Sequence, residues 1–588
     1  MANRAAKGPQ LWQPRVLREY SFIADGERGA LIDPAGAIVW MCAPRWDSRP
    51  VFTALLGGRS AYQIAPADPW RVWGGYYEPG SLIWRSRWVG TEVIECREAL
   101  ALPADEHRTV VLRRIEAVEG PARVDLTLDL DLGHGRGAGE LKRARGCWSG
   151  RTSGLYFRWS GARRASQDRD GRLTARLTVP AGQHHDLVLE ISDRPFDTAP
   201  ADPEALWMAT EEAWASQDVD CADLVASRDA RHAYAVLSGL TSRSGAMVAA
   251  ATTSLPERLG GIRNYDYRYA WIRDQCYAGL AMAAHGADSR LAGTVGFITG
   301  RLLADGPDLA PAYTVTGGRI PPERQVRLPG YPGAKPRIGN RVKTQFQLDC
   351  FGEALQLLAA ASRRDLLSAE DWRAAELAVD AIEQRWQQPD AGIWELDDQR
   401  WTHSRLACVS GLRAMASAAS HSRSLAARWS GLADSVLASL DDCVHPSGRW
   451  QRTPADDRVD AALLLSFIRG AVPVDDPRSK TTMEAVEQEL TDDGFVYRFG
   501  DGARPVGHAE GAFLLCGFWM ALAAHVRGDD VQAAHWFERS RSACGPAALY
   551  TEEYATHQRQ QRGNLPQAFV HAAMLECAVR LSARASLG

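Results

Sequence analysis

The sequence predicts a multidomain α and β protein, an N-terminal antiparallel β-sandwich followed by a C-terminal (α/α)6 barrel. Three observations lead there. Up to about residue 215 the chain alternates apolar and polar side chains with the period of strands and holds no long helical pattern before about Pro203. From about Gly245 onward the apolar spacing changes to threes and fours. The roughly 345 residues that remain, divided into roughly 12-residue helices and their connections, give about ten to twelve helices. A closed ring of helix pairs fits that count, and other all-helical folds fit it too.

Taken in order, Ala37–Trp40 reads as a strand after the turn signal Asp33-Pro34-Ala35-Gly36. Val124, Leu126, Leu128, Leu130 and Leu132 alternate with Asp125, Thr127, Asp129 and Asp131, as a half-buried strand does. Leu173 to Val179 and Leu187 to Ile191 repeat the pattern around the turn Pro180-Ala181-Gly182. Many strands without intervening helices argue for a sandwich. Glu204–Ser216 and Ser227–Ser242 look helical and are expected to bridge the domains, with boundaries at 1–215 (sandwich), 216–244 (helical linker) and 245–588 (barrel). Asp371–Trp386 reads as a helix, and Leu425, Trp429, Leu432, Val436 and Leu440 make one apolar face. Glu510–Val526 and Asn564–Leu581 are apolar nearly all round, so buried helices are expected there.

Composition narrows the function. With 68 basic and 72 acidic residues the net charge is −4, which gives no electrostatic case for nucleic acid or an anionic membrane. Eleven cysteines, an odd number with no Cys-x-x-Cys pair, read as free thiols in a reducing compartment. Met1–Gln10 has no apolar core of the kind a signal peptide carries, and no apolar run approaches the roughly 18 to 20 residues of a membrane helix. A cytoplasmic location is expected. Twenty tryptophans suit either core packing or stacking on sugar rings.

Four stretches hold the chemistry. Pro389–Thr402 centres on Glu395, flanked by Ile393, Trp394 and Leu396. A carboxyl among apolar neighbours tends to keep its proton, as a general acid must, although an ordinary loop glutamate is the commoner reading of such a stretch alone. Leu259–Asp274 packs Arg263, Asp266, Arg268, Arg273 and Asp274 among Tyr265, Tyr267, Tyr269 and Trp271 ahead of the apolar helix Gln275–His285. Charges between aromatic rings suit a polyhydroxylated ligand, while some of these residues only tie loops together. Gly330–Asn340, with Arg337, is a Gly/Pro-rich loop fit to form the lip of a pocket, and Gln345–Glu353 follows it. No Gly-Lys-Ser/Thr follows at P-loop spacing. Leu549–Tyr554 carries Glu552 and Glu553 side by side. Two carboxylates from distant loops are the minimal equipment for glycoside hydrolysis, and by chemistry alone either Glu552 or Glu553 can partner Glu395. Arg45-Trp46-Asp47-Ser48 is either a surface turn with a salt bridge or a loop whose side chains reach a pocket of the neighbouring domain.

Together these stretches resemble glycoside hydrolase family 15, which includes glucoamylases, glucodextranases and bacterial trehalases. The resemblance runs through Ile23–Gly26, Trp40–Ser48, Thr252–Glu257, Arg263–Asp274, Asp460–Leu465, Glu510–Phe513 and Gly563–Phe569. It implies the sandwich, a helical linker, a catalytic (α/α)6 barrel and an inverting mechanism. It also implies that Glu395 is the general acid, that Glu552 is the general base, and that Arg273 and Asp274 hold the non-reducing-end glucose. Trp271, Trp394, Tyr265 and Arg337 complete the expected substrate-binding set. The chain departs from the family at His403-Ser404-Arg405 and Val409, at Ala555 and at Tyr265, which bears on the leaving-group side of the pocket.

The expected activity is exo-acting hydrolysis of an α-glucan or α-gluco-oligosaccharide, perhaps the α-1,6-linked kind, with release of β-glucose. Trehalose hydrolysis is the runner-up. Phosphorolysis and non-catalytic carbohydrate binding are the alternatives of other classes. The chemistry asks for no cofactor and no metal, and no His/Cys/Asp cluster stands at ligand spacing. The expected partner is a carbohydrate substrate, with no nucleic acid and no membrane; a homo-oligomer is compatible with the sequence.

Overall fold

The computed structural model describes residues 12–585 apart from 131–140, 145, 153, 259–262, 421, 501–505 and 507–509. Met1–Gln10, Leu132 and the first four residues of the Leu259–Asp274 block therefore lie outside the described residues.

Alternation does build two facing antiparallel sheets. In spatial order the first runs Ser21–Ala24, Gly29–Ile32, Ala37–Cys42, Ala61–Pro66, Ala122–Asp129, Leu173–Val179 and Ser166–Gln167, with Pro50–Phe52 beside Ala37–Cys42. The second runs Lys142–Ala144, Cys147–Thr152, Leu155–Ser160, His184–Ser192, Arg108–Glu119, Val93–Leu100, Trp84–Val89 and Val72–Tyr77. Val124, Leu126 and Leu128 turn inward while Asp125 and Thr127 stay half-exposed. The sheets meet through Trp159 and Tyr62, edge to face at 5.8 Å, and through Arg113. That arginine leaves its own sheet, where it pairs with Glu98, and donates to the carbonyls of Tyr62 and Gly36 at 2.8 Å each. A charge buried in a sandwich persists only when paired and hydrogen-bonded in this way.

Thirteen α-helices follow among the described residues: α1 (Pro203–Gln217), α2 (Ser227–Leu240), α3 (Ile272–His285), α4 (Asp288–Asp305), α5 (Asp349–Ser362), α6 (Ala369–Arg385), α7 (Thr402–Ala418), α8 (Arg423–Ala438), α9 (Leu465–Ile468), α10 (Pro477–Glu489), α11 (Leu514–Val526), α12 (Asp530–Arg541) and α13 (Ala568–Ala585). Helices α3, α5, α7, α9, α11 and α13 pack in that order into a ring that closes from α13 back to α3. Helices α2, α4, α6, α8, α10 and α12 lie outside it, which makes an (α/α)6 barrel. Inner and outer positions follow from the apolar pattern. In α11 every residue but Val526 is buried, whereas α8 buries only the stripe Trp429, Ala433 and Val436. Among the described residues no helix is long and apolar enough to cross a membrane.

Three boundaries differ from those expected. Ser227–Leu240, assigned to a linker, is the outer helix α2, and its apolar stripe is covered by α13. Helix α1 folds back on the sandwich: Trp207 donates to Asp186 at 2.9 Å and Glu211 pairs with Arg97 at 2.5 Å. The connection between α1 and α2 is thus 218–226 rather than 216–244. Glu510–Val526 is not helical throughout, because Ala512–Phe513 forms a short strand against Glu553–Ala555. Asn564–Gln567 likewise precedes α13 as a loop. All eleven cysteines are unpaired.

The sandwich sits against α2 and against the loops that lead into α3. Trp40 donates through its indole to the carbonyl of Ala251 at 2.9 Å, and Glu27 accepts from the Ser242 hydroxyl and the Arg243 amide at 3.0 Å. Arg45-Trp46-Asp47-Ser48 touches the helical domain through its backbone, and none of its four residues reaches a pocket there. Trp46 is buried, and the carbonyls of Trp46 and Ser48 accept from Arg268 at 3.2 and 2.9 Å. Arg45 and Asp47 form a half-exposed pair at 3.4 Å. Arg268 is held in turn by Asp266 at 2.7 Å, with both side chains almost wholly buried. Replacing Arg268 by Met leaves Asp266 buried without its cation, so stability measured by denaturant titration should fall by about 3–5 kcal/mol. Arg45→Ala, which removes only a partly solvated pair, should change it by no more than about 1 kcal/mol.

Candidate active site

The inner helices start around one cavity of about 100 Å³ at the mouth of the barrel. Residues 263–269 run extended beside it, so alternate side chains take opposite sides. Arg263, Tyr265 and Tyr267 line the cavity, while Asn264, Asp266 and Arg268 turn away. Helix α3 then begins at the wall and presents Trp271, Arg273, Asp274 and Tyr277. Arg273 is fixed by Asp349 and Gln347, both at 2.9 Å. Asp274 is buried in the first helical turn; burial pushes its carboxyl up to about 7 against the opposing pull of Arg273. Arginine, aspartate and flat rings around a space of this size can grip vicinal hydroxyls and stack on a sugar face.

Glu395 enters from a loop pinned at several points. Asp390 is buried, pairs with Arg405 at 2.5 Å, accepts from Ser404 at 2.7 Å and receives the amide of Gly392 at 3.0 Å. Gly392 has φ +67, and a Cβ there would lie 2.7 Å from Trp401, so glycine is required. Glu395 itself has φ +58, a conformation that costs a non-glycine residue about 1 kcal/mol or more. That turn aims its side chain across the cavity. Trp271 donates through its indole to Glu395 Oε1 at 2.7 Å, and Arg273 lies 3.5 Å from the same oxygen. Oε2 has no hydrogen-bond partner among the described residues. The apolar neighbours in sequence do not enclose this carboxyl as expected: its side chain is 25% exposed, and Trp394 sends its N–H to Asp460 at 2.8 Å.

Glu552 lies on the opposite side of the fold's sequence, just before the strand Glu553–Ala555. Strand alternation separates the two adjacent carboxylates. Glu552 lines the cavity and accepts from the Tyr267 hydroxyl at 3.0 Å. Glu553 points behind the wall, where it accepts from the Gly511 amide at 2.8 Å. Glu257 completes a buried group of three, with carboxylate oxygens within 4.8 Å of one another. Burial, then the charge of Glu257, pushes Glu552 well above the usual glutamate range; Arg498 and the Tyr267 hydrogen bond oppose the shift. A cation could bridge oxygens this close. Among the described residues one other group has comparable spacing, His184, Asp186 and Glu204 on the surface, and there Arg114 already binds both carboxylates.

A wider outer cavity, of about 550 Å³, adjoins the first and shares Arg341, Glu395 and Leu396 with it. Arg452, Asp456, Arg458 and Asp397 give it a charged wall. Of the expected site residues, Glu395, Glu552, Arg273, Asp274, Trp271, Trp394 and Tyr265 all line the inner cavity. Arg337 does not. It lies in a short strand, pairs with Glu323 at 2.6 Å, and its carbonyl accepts from Thr253. Arg341, four residues on, stands at the lip in its place. The Gly330–Asn340 loop otherwise grips the sandwich, with the Tyr331 hydroxyl donating to the carbonyl of Arg15 at 2.7 Å. The departures Val409 and Ala555 line neither cavity. Sequence reasoning missed Glu257, Tyr267, Arg341 and Arg498 as cavity residues. Glu257 and Tyr267 lay within quoted blocks, and Arg498 carried no local signal.

Comparison with known proteins agrees with this architecture. Residues 231–579 match the model of glycosyl hydrolases family 15, and residues 13–191 match that of the trehalase-like N-terminal domain. The chain is 32% identical to a trehalase of Mycolicibacterium smegmatis, with 98% of this chain and 93% of that one covered. It is 30% identical to a trehalase of Mycobacterium tuberculosis, with 96% and 89% covered. Its fold matches a bacterial glucoamylase solved with acarbose, at a TM-score of 0.69 and 14% identity over 99% of this chain and 98% of that one. With a sandwich of trehalase-like type ahead of the barrel, and a family match over most of the helical domain, the chain belongs to glycosyl hydrolases family 15.

Proposed function

We propose that the chain hydrolyses α,α-trehalose with inversion of configuration. One observation carries this choice over the α-glucan placed first from sequence: two trehalases at 32% and 30% identity align with it along nearly the whole of both chains. The site's geometry supports the class of reaction. One glucose fits the inner cavity against Arg273 and Asp274, with Trp271, Trp394 and Tyr265 around it. The other lies in the outer cavity beyond Glu395, near Arg341 and the charged wall.

Glu395 Oε2 gives its proton to the bridging oxygen while the C1–O bond breaks. Glu552 takes a proton from a water whose oxygen bonds to C1 from the opposite face of the ring. The charge that develops on the ring is oxocarbenium-like, and room for that water calls for carboxyls roughly 6.5 to 9.5 Å apart. Phosphorolysis fits less well. Glu552 stands where a phosphate dianion would have to attack, with Glu257 and Glu553 close behind, and like charges there repel it.

Glu395→Gln and Glu552→Gln should each lower kcat by about 10²–10⁴-fold or more with the fold intact by circular dichroism. Glu553→Gln should cost less than Glu552→Gln; near-normal turnover of either of the first two variants removes that residue from its role. Proton NMR of anomeric signals in the first minutes tests the substrate and the stereochemistry together. Inverting attack on trehalose releases one β-glucose from the attacked ring and one α-glucose as leaving group, so the two should appear in equal amounts before mutarotation. α-Glucose alone would overturn inversion. Hydrolysis of maltose, isomaltose or dextran without trehalose would return the α-glucan to first place.

A further inference from the structure

We infer that Glu257 is a positioning residue that sets the charge of Glu552: the buried group Glu257, Glu552 and Glu553 cannot carry three negative charges at once, and Glu257 competes with Glu552 for ionisation. The inference rests on Glu552 acting as the base. It starts from three carboxyls that are 4%, 4% and 0% exposed, with oxygens within 4.8 Å of one another. Two oxygens of these carboxyls, Glu257 Oε2 and Glu553 Oε1, are buried without a hydrogen-bond partner. A buried anionic oxygen in that condition is costly, and a shared proton relieves it.

The surroundings do not supply enough positive charge. From the segment that follows the short strand Phe495–Val496, the Arg498 guanidinium approaches Glu257 to 4.0 Å, but its Nε–Nη2 edge goes to Glu510 at 2.7 and 2.6 Å. From the extended segment, Arg263 also goes to Glu510, at 2.5 Å, and Tyr267 donates to Glu552. Tyr265 faces the group from the same segment, and Asp274 and Glu395 face it across the cavity. Four carboxyls, counting Glu510, therefore share two guanidiniums. Like charges at this separation cannot all form together. Burial pushes Glu257 up to about 7, and for both Glu552 and Glu553 the largest electrostatic push after burial comes from Glu257. A general base works in its ionised form, so activity is lost as pH falls through the pKa of Glu552.

The test is the pH dependence of kcat/KM on trehalose for the wild type, Glu257→Gln, Glu553→Gln and Glu552→Gln, each in excess EDTA, with melting temperatures recorded. The wild-type acidic limb should lie well above pH 4.5. Glu257→Gln removes one negative charge beside the base, so that limb should move down by about 1–2 pH units while KM stays within about threefold. Glu553→Gln should move it the same way. A wild-type limb at or below 4.5 overturns the inference, and that reading holds even if Glu257→Gln does not fold. An unmoved or upward-moved limb overturns it, as does loss of activity at every pH in a folded Glu257→Gln. Activity that requires an added divalent cation also overturns it, because a metal rather than a proton would then hold the group together. Retained activity in Glu552→Gln would instead sink the assignment of the base itself.

Discussion

The site depends on one buried ion pair, Asp266 with Arg268. Its two members sit on one side of the extended segment 263–269, and Arg268 reaches the backbone of the sandwich at Trp46 and Ser48. A buried pair is a poor source of net stability, but breaking it leaves a bare charge in a dry interior. A slip of one residue would carry Asp266 and Arg268 into the cavity and Tyr265 and Tyr267 into the sandwich. The pair thereby fixes which side chains face the sugar. Tyr267 is brought to Glu552, and two residues past Tyr269 the chain delivers Trp271 to Glu395 and starts the helix that holds Arg273 and Asp274.

This explains a role for the sandwich that its own surface does not suggest. None of its described residues lines the inner cavity. Its Trp40 and Glu27, with the carbonyls of the Arg45–Ser48 loop, receive or brace the loops that precede α3. The catalytic carboxylates of the proposed mechanism come from segments 157 residues apart in the chain, as their numbers 395 and 552 show. Both are contacted by side chains of one short segment whose register the sandwich holds.

Legibility in the sequence followed the range of the interaction. Alternation over Ala122–Asp129 and the all-round apolarity of α11 are local, and both reported burial correctly. The stripe on Ser227–Leu240 was visible, but its cover is α13, more than three hundred residues later, so the helix read as a bridge. Glu395 was found while its environment was misjudged: its backbone is left-handed, and its carboxyl accepts from Trp271 with a quarter of the side chain exposed rather than being enclosed by its apolar neighbours. Arg337 lies in a two-residue strand at the end of a Gly/Pro-rich stretch and Arg341 opens a short 3-10 helix just after it, elements too short for any period to tell which of the two points inward. Glu552 and Glu553 could not be told apart by chemistry, yet strand alternation separates them at once.

The two carboxyls assigned as acid and base occupy unlike surroundings, and the difference suits their tasks. Glu395 lies at the junction of the two cavities with a quarter of its side chain exposed, so it can reach the leaving group and regain a proton from solvent after each cycle. Glu552 lies on the buried wall among other carboxyls. Burial there makes it a stronger proton acceptor than a glutamate in water, which favours removal of a proton from water at the moment of attack. The same crowding makes the base vulnerable to acid. Arg498 limits that vulnerability without neutralising the group, because the edge formed by its Nε and Nη2 is already committed to Glu510. A cation aimed directly at Glu552 would keep it ionised at lower pH but would weaken it as a base. Holding the guanidinium one carboxyl away balances these two demands.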